Sequence, residues 1–466
     1  MCKDPHGKAA APIGDEELAG LFHDLKSYFP LTLAVSGGVD SMCLMHLVSR
    51  WIERQMHNAD RQVQVVTVDH ALRSGSTAEA RLVARQAAAL GLPHKILVWE
   101  GDKPATGLQQ AARHARYGLI REYLAGQARK TGGGDMPALV SAHHLDDQAE
   151  TVLMRLARGS GADGLGAMGR KVHAHGLVIL RPLLEVPKAR LLATARERDI
   201  AFMEDPSNAN RDFERVRLRE ARNVLDELGL SSRALALSAR RLARAARAIE
   251  LAVDDLIARS DLKVHDCGYV SLQFAPFLHA SEELRIRLMA RVLRAMNGGT
   301  GRSGAPVNLE KLEDLVTALD SPDFSGATLQ RCQILVGRQE RLVVLRESGR
   351  DGLEARLLQP ADSIIWDDRF CLSLSDHFDH ALEVKALSGA DWIELKRKYR
   401  DLEEAGISQR LAVTLPALWQ EDRLLAVPAL AAIVPNLAGP QVHGRPVINI
   451  KVSLLDDLPA LSGSVK

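Results

Sequence analysis

The string at residues 36–41, SGGVDS, joins an apolar run at 31–35 to the start of a helical pattern. Two glycines let a backbone turn sharply and approach a ligand closely, and the free N–H groups of a first helical turn attract anions. An aspartate here can reach a magnesium ion carried by phosphates, and the two serines can donate hydrogen bonds to phosphate oxygens. The string therefore predicts a nucleotide-phosphate site. Its residues are Ser36, Gly37, Gly38, Val39, Asp40 and Ser41.

This string is not a Walker A loop, because no lysine precedes the final serine. A short SGG turn suits a different task, in which the β- and γ-phosphates leave as pyrophosphate while the α-phosphate is attacked. An ordinary Gly-Gly turn is the alternative. The preceding strand and the following helix are the context that a phosphate-binding motif requires, and they favour the functional interpretation.

A second cluster of polar residues occupies positions 143–151, HHLDDQAET. Asp146 and Glu150 are four residues apart and Asp147 and Glu150 three apart, so on a helix each pair shares a face. Acids in a first helical turn also suit the helix dipole, and an acidic helix cap is the alternative. A zinc site is disfavoured because the H-E-x-x-H spacing is missing. We predict that these acids help to hold Mg²⁺ and to position ATP or an attacking amine. With Asp40, the candidate catalytic residues are His143, His144, Asp146, Asp147 and Glu150, and the candidate metal ligands are Asp40 and Asp147.

Two further positions are candidates for the nucleotide site. Asp69 ends a predicted strand, where its carboxylate can bind the adenine or ribose edge of a nucleotide or a cationic substrate; a simple turn is the alternative. Arg113 and Arg116 share a helical face by their i,i+3 spacing, with a solvated basic face as the alternative. We assign Asp69 and Arg113 to cofactor binding.

The elements that must position these residues alternate between strand and helix over 30–160. The predicted strands are 31–35, 63–68, 94–99 and 138–142, and the predicted helices are 42–56, 77–90 and 108–125. Continuous apolar strands separated by helices predict an α/β fold, a Rossmann-like parallel sheet with helices on both faces. Ligands bind beyond the carboxyl ends of such strands. The clusters at 36–41, 69–70 and 143–144 should therefore share one rim.

The rest of the chain is predicted in less detail. We expect a mobile loop at 159–169, a helix from Pro187 to about 199, a loop at 205–208, mostly helix over 213–298 and a break at 297–301. Strand-like segments follow at 341–345, 363–366, 369–374 and 411–415. Two G-x-G-x-x-G strings, at 159–164 and 299–304, follow helical patterns rather than strands, so NAD binding is rejected. The predicted domains are a flexible terminus (1–14), a nucleotide-binding catalytic domain (15–222), a mostly helical arginine-rich domain (223–330) and a small α+β domain (331–466).

Residues 211–247 form a basic stretch, with ten arginines against five acids in a chain whose net charge is +1. Arg240, Arg244 and Arg247 fall on one helical stripe, and residues 287, 291 and 294 form a second arginine stripe. Arginine favours bidentate phosphate contacts. Few aromatics accompany them, which indicates tracking of a structured RNA backbone rather than base stacking. A solvated helix is the alternative.

Length and composition indicate two to four domains in a chain of 466 residues. Five scattered cysteines without a C-x-x-C pair predict neither a zinc ribbon nor a disulfide framework and suit a reducing cytoplasm. The start of the chain lacks the apolar core of a signal peptide, and no apolar run approaches the ~20 residues of a membrane helix. We expect a cytoplasmic protein without a membrane partner.

Six strings in order resemble the tRNA(Ile)-lysidine synthetase family of the PP-loop ATP pyrophosphatase superfamily, and they cover about the first 220 residues. They are SGGVDS (36–41), VDHALR (68–73), ARHARY (112–117), AHHLDDQAETVLMRLARGSGADGLGAM (142–168), RPLL (181–184) and DPSN (205–208). The chain departs from the family at Gln109, where an acid is usual, and at Val216, where asparagine is favoured. These departures put in doubt a carboxylate role at 109 and a side-chain contact at 216.

The resemblance implies a two-step reaction. ATP adenylates the C2 oxygen of the wobble cytidine in a CAU-anticodon tRNA(Ile), and free L-lysine then displaces AMP to form lysidine. The proton acceptor is left open among His143, His144 and Asp147, while Asp146 or Glu150 is an alternative for recognising the amine. We also expect the chain to form a homodimer. The expected tRNA-binding residues are Arg116, Arg155, Arg181, Arg215, Arg217, Arg219, Arg240, Arg244 and Arg247.

Three rival functions differ in features that can be checked. A tRNA thiolase of the same superfamily should carry a C-x-x-C pair or a placed catalytic cysteine, which this chain lacks. A small-molecule amide-forming synthetase leaves the basic stretch at 211–247 unexplained. A nucleotide-sensing module would bind ATP without splitting it.

Overall fold

The computed structural model describes residues 10–55, 62–70, 76–101, 103–104, 107–130, 137–203, 214–298, 307–349, 352–442 and 445–452. The chain forms two compact units, Met1–Arg247 and Ala248–Lys466. The predicted loop at 205–208, residue 73 and residues 299–304 lie outside the described residues. The predicted division into domains stays a prediction.

The first unit contains a six-stranded sheet surrounded by helices. Its strands are β1 (Leu31–Ala34), β2 (Val63–Asp69), β3 (His94–Val98), β4 (Ala138–Val140), β5 (Lys171–Ala174) and β6 (Leu177–Leu180). Its helices are α1 (Leu18–Leu21), α2 (Val39–Gln55), α3 (Ser76–Ala89), α4 (Leu108–Lys130), α5 (Leu145–Leu156), α6 (Ala162–Leu165), α7 (Lys188–Glu197), α8 (Glu214–Glu220), α9 (Arg222–Glu227) and the greater part of α10 (Ser232–Arg259).

The strand order β3-β2-β1-β4-β6-β5 places β1 between β2 and β4. Every neighbouring pair from β3 to β6 is parallel, and only β5 runs antiparallel, to β6. The chain leaves β1 in one direction along the sheet and returns on its other side at β4. This is the switch point at which α/β sheets bind ligands, beyond the carboxyl ends of the strands.

Both faces of the sheet are buried, as the continuous apolar strands predict. Leu33 and Val65 pack with α2, α3 and α7 on one face. Val66 and Leu139 pack with α4 on the other face. The predicted α/β fold class is confirmed.

Residues 159–169, predicted as a mobile loop, include the short helix α6 and are held to α5. Gln148 Nε2 donates to the carbonyl of Met168 at 2.7 Å, and the Met168 N–H donates back to Gln148 Oε1 at 2.8 Å. Arg155 Nη1 donates to the carbonyls of Gly164 and Ala167. Glycine content alone did not predict these anchors.

The described part of the predicted flexible terminus is also anchored. The Ile13 side chain is 1% exposed, and its N–H donates to Thr194 Oγ1 on α7 at 2.9 Å. Arg190 donates to the carbonyls of Ala11 and Pro12. Residues 11–13 therefore pack against α7 in the helix layer of the first unit.

The second unit contains antiparallel sheets of five, four, three and two strands. Its strands are β7 (Lys263–His265), β8 (Tyr269–Gln273), β9 (Ala327–Leu329), β10 (Cys332–Val336), β11 (Arg341–Arg346), β12 (Arg356–Leu358), β13 (Ser363–Trp366), β14 (Phe370–Leu374), β15 (Leu382–Ala386), β16 (Pro416–Gln420), β17 (Arg423–Ala426), β18 (Gln441–Val442), β19 (Arg445–Pro446) and β20 (Ile448–Val452). Its helices, besides the end of α10, are α11 (Phe274–Leu278), α12 (Glu282–Met296), α13 (Leu309–Ala318), α14 (Gly389–Lys398), α15 (Asp401–Glu404) and α16 (Gln409–Ala412).

Two predictions for this unit are corrected. The strand expected at 411–415 is wrong, because Ser408 caps helix α16 by accepting a hydrogen bond from the Leu411 N–H. The mostly helical stretch over 213–298 also contains the hairpin β7–β8. Among the described residues, no helix is long and apolar enough to cross a membrane.

Candidate active site

The loop after β1 is fixed by the serines that the sequence singled out. Ser41 Oγ donates to the carbonyl of Gly38 at 3.0 Å and accepts from the Ser36 N–H at 3.1 Å. Gly37 has a φ of +93°, a conformation that residues with side chains rarely adopt. Helix α2 then begins at Val39, so its first N–H groups face the carboxyl edge of the sheet and are available to an anion.

The side chain of His144 lies between two carboxylates from the first turns of two helices, α2 and α5. Its Nε2 is 3.4 Å from Asp40 Oδ2 and 3.5 Å from Asp147 Oδ2, and its side chain is 2% exposed. Burial favours the neutral ring, but Asp40, Asp147 and Asp146 outweigh it and raise the pKa of His144. Burial likewise favours a protonated Asp40, but His144 and Lys188 outweigh it and lower the pKa of Asp40. The structure thus brings the motifs at 36–41 and 143–151 into direct contact.

Asp146 joins several helices rather than facing an open cavity. Its Oδ2 accepts from the Lys188 N–H at 2.8 Å, at the start of α7. Its Oδ1 accepts from Ser232 Oγ at 3.3 Å and lies 2.8 Å from Arg222 Nη2. Burial raises the pKa of Asp146, but the Lys188 amide, His144 and Arg222 lower it below its ordinary value. These contacts give Asp146 a positioning role.

Glu150 is 5% exposed and is bound by an arginine of α8. Arg219 Nε donates to Glu150 Oε1 at 2.6 Å, while Arg215 Nε lies 3.9 Å from Oε2. Both arginines also reach Asp147 Oδ1, at 4.0 Å each. Two arginines predicted to bind tRNA therefore lie against two acids predicted to be catalytic.

Sequence reasoning missed Lys188. Its Nζ lies 3.6 Å from Asp40 Oδ2, and its side chain is 37% exposed. A lone lysine after Pro187 has no spacing that marks it. The one available signal is its place four residues beyond the RPLL string that follows β6.

His143 and Arg181 lie beside this cluster, after β4 and β6. His143 Nδ1 is 2.9 Å from Ser141 Oγ. Burial, only partly opposed by Asp147 and reinforced by Arg181, Arg215 and Arg113, lowers the pKa of His143 to about 4. Arg181 is 6% exposed and donates to the Gly169 carbonyl at 3.0 Å. His143 is consequently neutral at physiological pH.

The remaining predicted residues are placed as follows. Asp69 is buried at the end of β2 and accepts from Thr77 Oγ1 at 3.3 Å. Arg116 is exposed on α4, with Nη2 3.5 Å from His70 Nε2. Arg155 holds the 159–169 segment, as described above, and Arg217 is exposed on α8.

The two arginine stripes differ sharply. Arg240, Arg244 and Arg247 are exposed on α10. In the second unit, Arg287 and Arg291 bind Glu250, and Arg291 also binds Asp254, so their side chains are only 10% and 14% exposed. Two arginines of the second stripe are therefore paired with acids of the neighbouring helix α10, whereas the third, Arg294, is exposed.

Among the described residues, no group of three or more His, Cys, Asp or Glu side chains could hold a metal. Asp40 Oδ1 is nevertheless buried and has no hydrogen-bond partner within the described part of the chain. A single carboxylate oxygen suits magnesium, which usually binds one or two carboxylates and completes its shell with phosphate and water.

A family model and several individual proteins match this chain. The model of the PP-loop domain matches residues 14–228. A tRNA(Ile)-lysidine synthase of Rhodopseudomonas palustris is 47% identical over 351 residues, which cover 73% of this chain and 97% of the relative. The chain belongs to the tRNA(Ile)-lysidine synthase family.

Other members of the family are similar over different spans. The relative from Bradyrhizobium diazoefficiens is 44% identical, covering 68% of this chain and 85% of its own length. The relative from Ruegeria pomeroyi is 34% identical and extends the match to 85% of this chain and 88% of its own. These matches confirm the predicted family and the prediction of an ATP-binding ligase, and they do not favour the thiolase or amide-synthetase alternatives.

Proposed function

We propose that this chain uses ATP to adenylate the C2 oxygen of the wobble cytidine in a CAU-anticodon tRNA(Ile) and then joins free L-lysine to form lysidine. Family membership supports the overall reaction. The observation that carries the assignment of residues is the contact of His144 with both Asp40 and Asp147, because it unites the phosphate loop with the histidine–acid motif.

The first step requires that the triphosphate be held while pyrophosphate leaves. The N–H groups at the start of α2 point at the position where phosphates would bind, as in other anion sites at helix N-termini. Lys188 lies next to Asp40 and is partly exposed, so its ammonium can move to a phosphate oxygen. Both groups would stabilise the negative charge that develops on the leaving pyrophosphate.

The buried, unpartnered Oδ1 of Asp40 fits a magnesium ion. Asp40 would hold it together with phosphate oxygens, while Asp147, the second predicted ligand, is assigned to the second step. When bound, magnesium would neutralise part of the charge on the pyrophosphate.

The second step requires a proton acceptor for the ε-ammonium of lysine. His144 is favoured in its protonated form by three surrounding acids, and His143 has a pKa of about 4, so neither ring is suited to accept a proton from an ammonium. Asp147 remains, and its Oδ1 has only guanidinium nitrogens at 4.0 Å among its ion-pair contacts in the described residues. We assign proton acceptance to Asp147.

The function is tested by measuring pyrophosphate release in the complete mixture and in mixtures that lack ATP, tRNA or lysine. Release should require ATP, a CAU-anticodon tRNA(Ile) and, for multiple turnovers, lysine. Release with ATP and lysine alone would instead indicate a small-molecule synthetase, and ATP binding without any release would indicate a sensing module. Asp40→Ala should abolish release and leave tRNA affinity nearly intact. Equal loss of both would contradict the assignment of Asp40 to the nucleotide.

The same proposal includes a cytoplasmic location, lysine as the amine and a homodimer. Replacing lysine by arginine or ornithine should halt the reaction at adenylated tRNA, because a compact acid cluster suits an ammonium point charge. Light scattering of the purified chain, with and without tRNA, tests the homodimer.

A further inference from the structure

Helix α4 and the β5–β6 turn together form a basic surface on the first unit, here called the α4–hairpin surface. It consists of Arg113, His114 and Arg121 on α4 and His175 in the turn, and all four side chains are exposed. Glu122 is the one acid in the sequence of α4. The surface therefore carries a local excess of positive charge in a chain that is nearly neutral overall.

The geometry of this surface is fixed by stacking. The His175 ring lies on the Tyr117 ring with centroids 4.4 Å apart and planes at 9°. The Arg113 guanidinium carbon is 5.2 Å from the Tyr117 centroid. One face of the imidazole is therefore supported by a ring that is itself buried, while the side chain as a whole remains exposed.

The turn that presents His175 is unusually tight. His175 and Gly176 have φ values of +56° and +70°, the pattern of a two-residue turn of the type I′ class. A Cβ atom at position 176 would meet Arg121 Cδ at 3.2 Å, so the turn lies directly against α4. Histidine and asparagine are among the residues that tolerate a positive φ.

The arginines of this surface have no acidic partners. None of the ion pairs between described residues involves Arg113 or Arg121, in contrast to Arg219, Arg287 and Arg291. Burial and then the charges of Arg113, His114 and Arg121 lower the pKa of His175, so its ring is uncharged at neutral pH. Arg113 lies in the second turn of α4, the helix after β3, whereas the turn with His175 and Gly176 precedes β6 at the amino end of that strand.

We propose that the α4–hairpin surface binds an unpaired segment of the tRNA, with His175 stacking on a base and Arg121 contacting a phosphate. This inference rests on the proposed function, since it takes tRNA as the substrate. Unpaired guanidinium groups that alternate with a supported flat ring are the features by which proteins hold single-stranded loops. A protein partner is less suited, because the surface offers neither acids nor an apolar patch.

Two single substitutions in the full-length chain test the proposal by filter binding of a CAU-anticodon tRNA(Ile) transcript between 50 and ~300 mM salt. Arg121→Glu should weaken binding and lower the log–log salt slope by roughly 0.7–0.9, the value for one phosphate contact. His175→Asn keeps a residue that tolerates the turn but removes the ring, so it should weaken binding by roughly fivefold to a hundredfold with the slope unchanged.

Arg85→Glu is the matched control. Arg85 is exposed on α3, which packs on the opposite face of the sheet, and the substitution changes the net charge equally. It should change neither the salt slope nor the affinity for tRNA by more than about twofold relative to the unaltered chain. ATP affinity of all three variants should equal that of the unaltered chain, which also shows that they fold.

Unchanged tRNA affinity and slope in both Arg121→Glu and His175→Asn would overturn the inference, as would an equal effect of Arg85→Glu. Failure of the proposed function is distinguishable, because the unaltered chain would then form no lysidine although the binding measurements could still be made. Lysidine formation by the unaltered chain together with unaffected variants would reject only the α4–hairpin surface.

Discussion

Arg219 binds Glu150 through both sides of its guanidinium fork, with Nε at 2.6 Å from Oε1 and Nη2 at 3.3 Å from Oε2. Glu150 lies on α5 and Arg219 on α8, 69 residues further along the chain. The carboxylate is nearly fully buried, while the arginine side chain is 37% exposed. The pairing uses two of the five N–H donors of Arg219, so the remaining donors can contact a ligand while the pair stays intact.

Glu150→Gln should lower the free energy of unfolding by about 1 kcal/mol, because Arg219 loses its charged partner but retains contact with water. Urea denaturation followed by circular dichroism measures the change. Glu185→Gln is the control: this exposed acid pairs with exposed Arg240 at 3.5 Å and should contribute less than about 0.5 kcal/mol. Equal effects of the two substitutions would show that burial of Glu150 adds nothing.

Asp147→Asn should impair lysine transfer more than adenylation. Its carboxylate faces His144 and two guanidinium groups. The guanidinium nitrogens of Arg215 and Arg219 are each 4.0 Å from its Oδ1, so they do not hydrogen-bond to it. Adenylated tRNA should accumulate without lysidine when labelled ATP and labelled lysine are followed in parallel. Proportional loss of both steps would instead assign Asp147 to ATP and magnesium alone.

His143→Asn should reduce the single-turnover rate of lysine transfer by less than about tenfold, below the range typical of a lost general base. The pKa of about 4 keeps its ring neutral above roughly pH 5, so it does not titrate in the working range. The pH profile between 6 and 9 should keep its shape in the variant. An acid limb in that range that disappears with His143→Asn, but not with the exposed His23→Asn, would contradict this.

The sequence sufficed for β1 to β4 because these strands are short, continuously apolar runs separated by helical patterns, whereas β5 and β6, joined by a tight turn, were not predicted. It also indicated that the loops after β1 and β4 share a rim, since parallel strands end at one edge. Their actual contact, His144 against Asp40, required the structure.

Sequence patterns could not reveal which charges are already paired. Arg219 and Glu150 are far apart in the chain, and so are Arg291 and Glu250, which lie on α12 and α10. A stripe of arginines at helical spacing looks the same whether it faces phosphate or a neighbouring acidic helix. Lys188 was missed for a related reason, because its significance lies only in its approach to Asp40.

Asp367→Asn should destabilise the second unit strongly. Asp367 accepts from Arg346 at 2.6 Å and from Arg369 at 2.8 Å, and both arginine side chains are 0% exposed. Burial lowers the pKa of Arg369 to about 10, yet the group stays charged at neutral pH. Removing the shared carboxylate leaves two buried cations unpaired, at a cost of about 3–5 kcal/mol. Unfolding in guanidinium chloride measures this loss of stability. Asp376→Asn is the control, because the side chain of Asp376 is 73% exposed.

Changing Arg240, Arg244 and Arg247 together to alanine should weaken tRNA binding and flatten its salt dependence. All three side chains are exposed on α10, and the ion pair of Arg240 with Glu185 at 3.5 Å joins two exposed side chains, so the three arginines can contact phosphates. Each lost contact should lower the log–log slope by roughly 0.7–0.9, while ATP affinity stays unchanged. The double variant Arg81→Ala/Arg85→Ala, on exposed positions of α3, controls for general loss of charge. If the triple variant keeps the original slope, this stripe is a solvated helix face, and the RNA must be held by other arginines of the first unit.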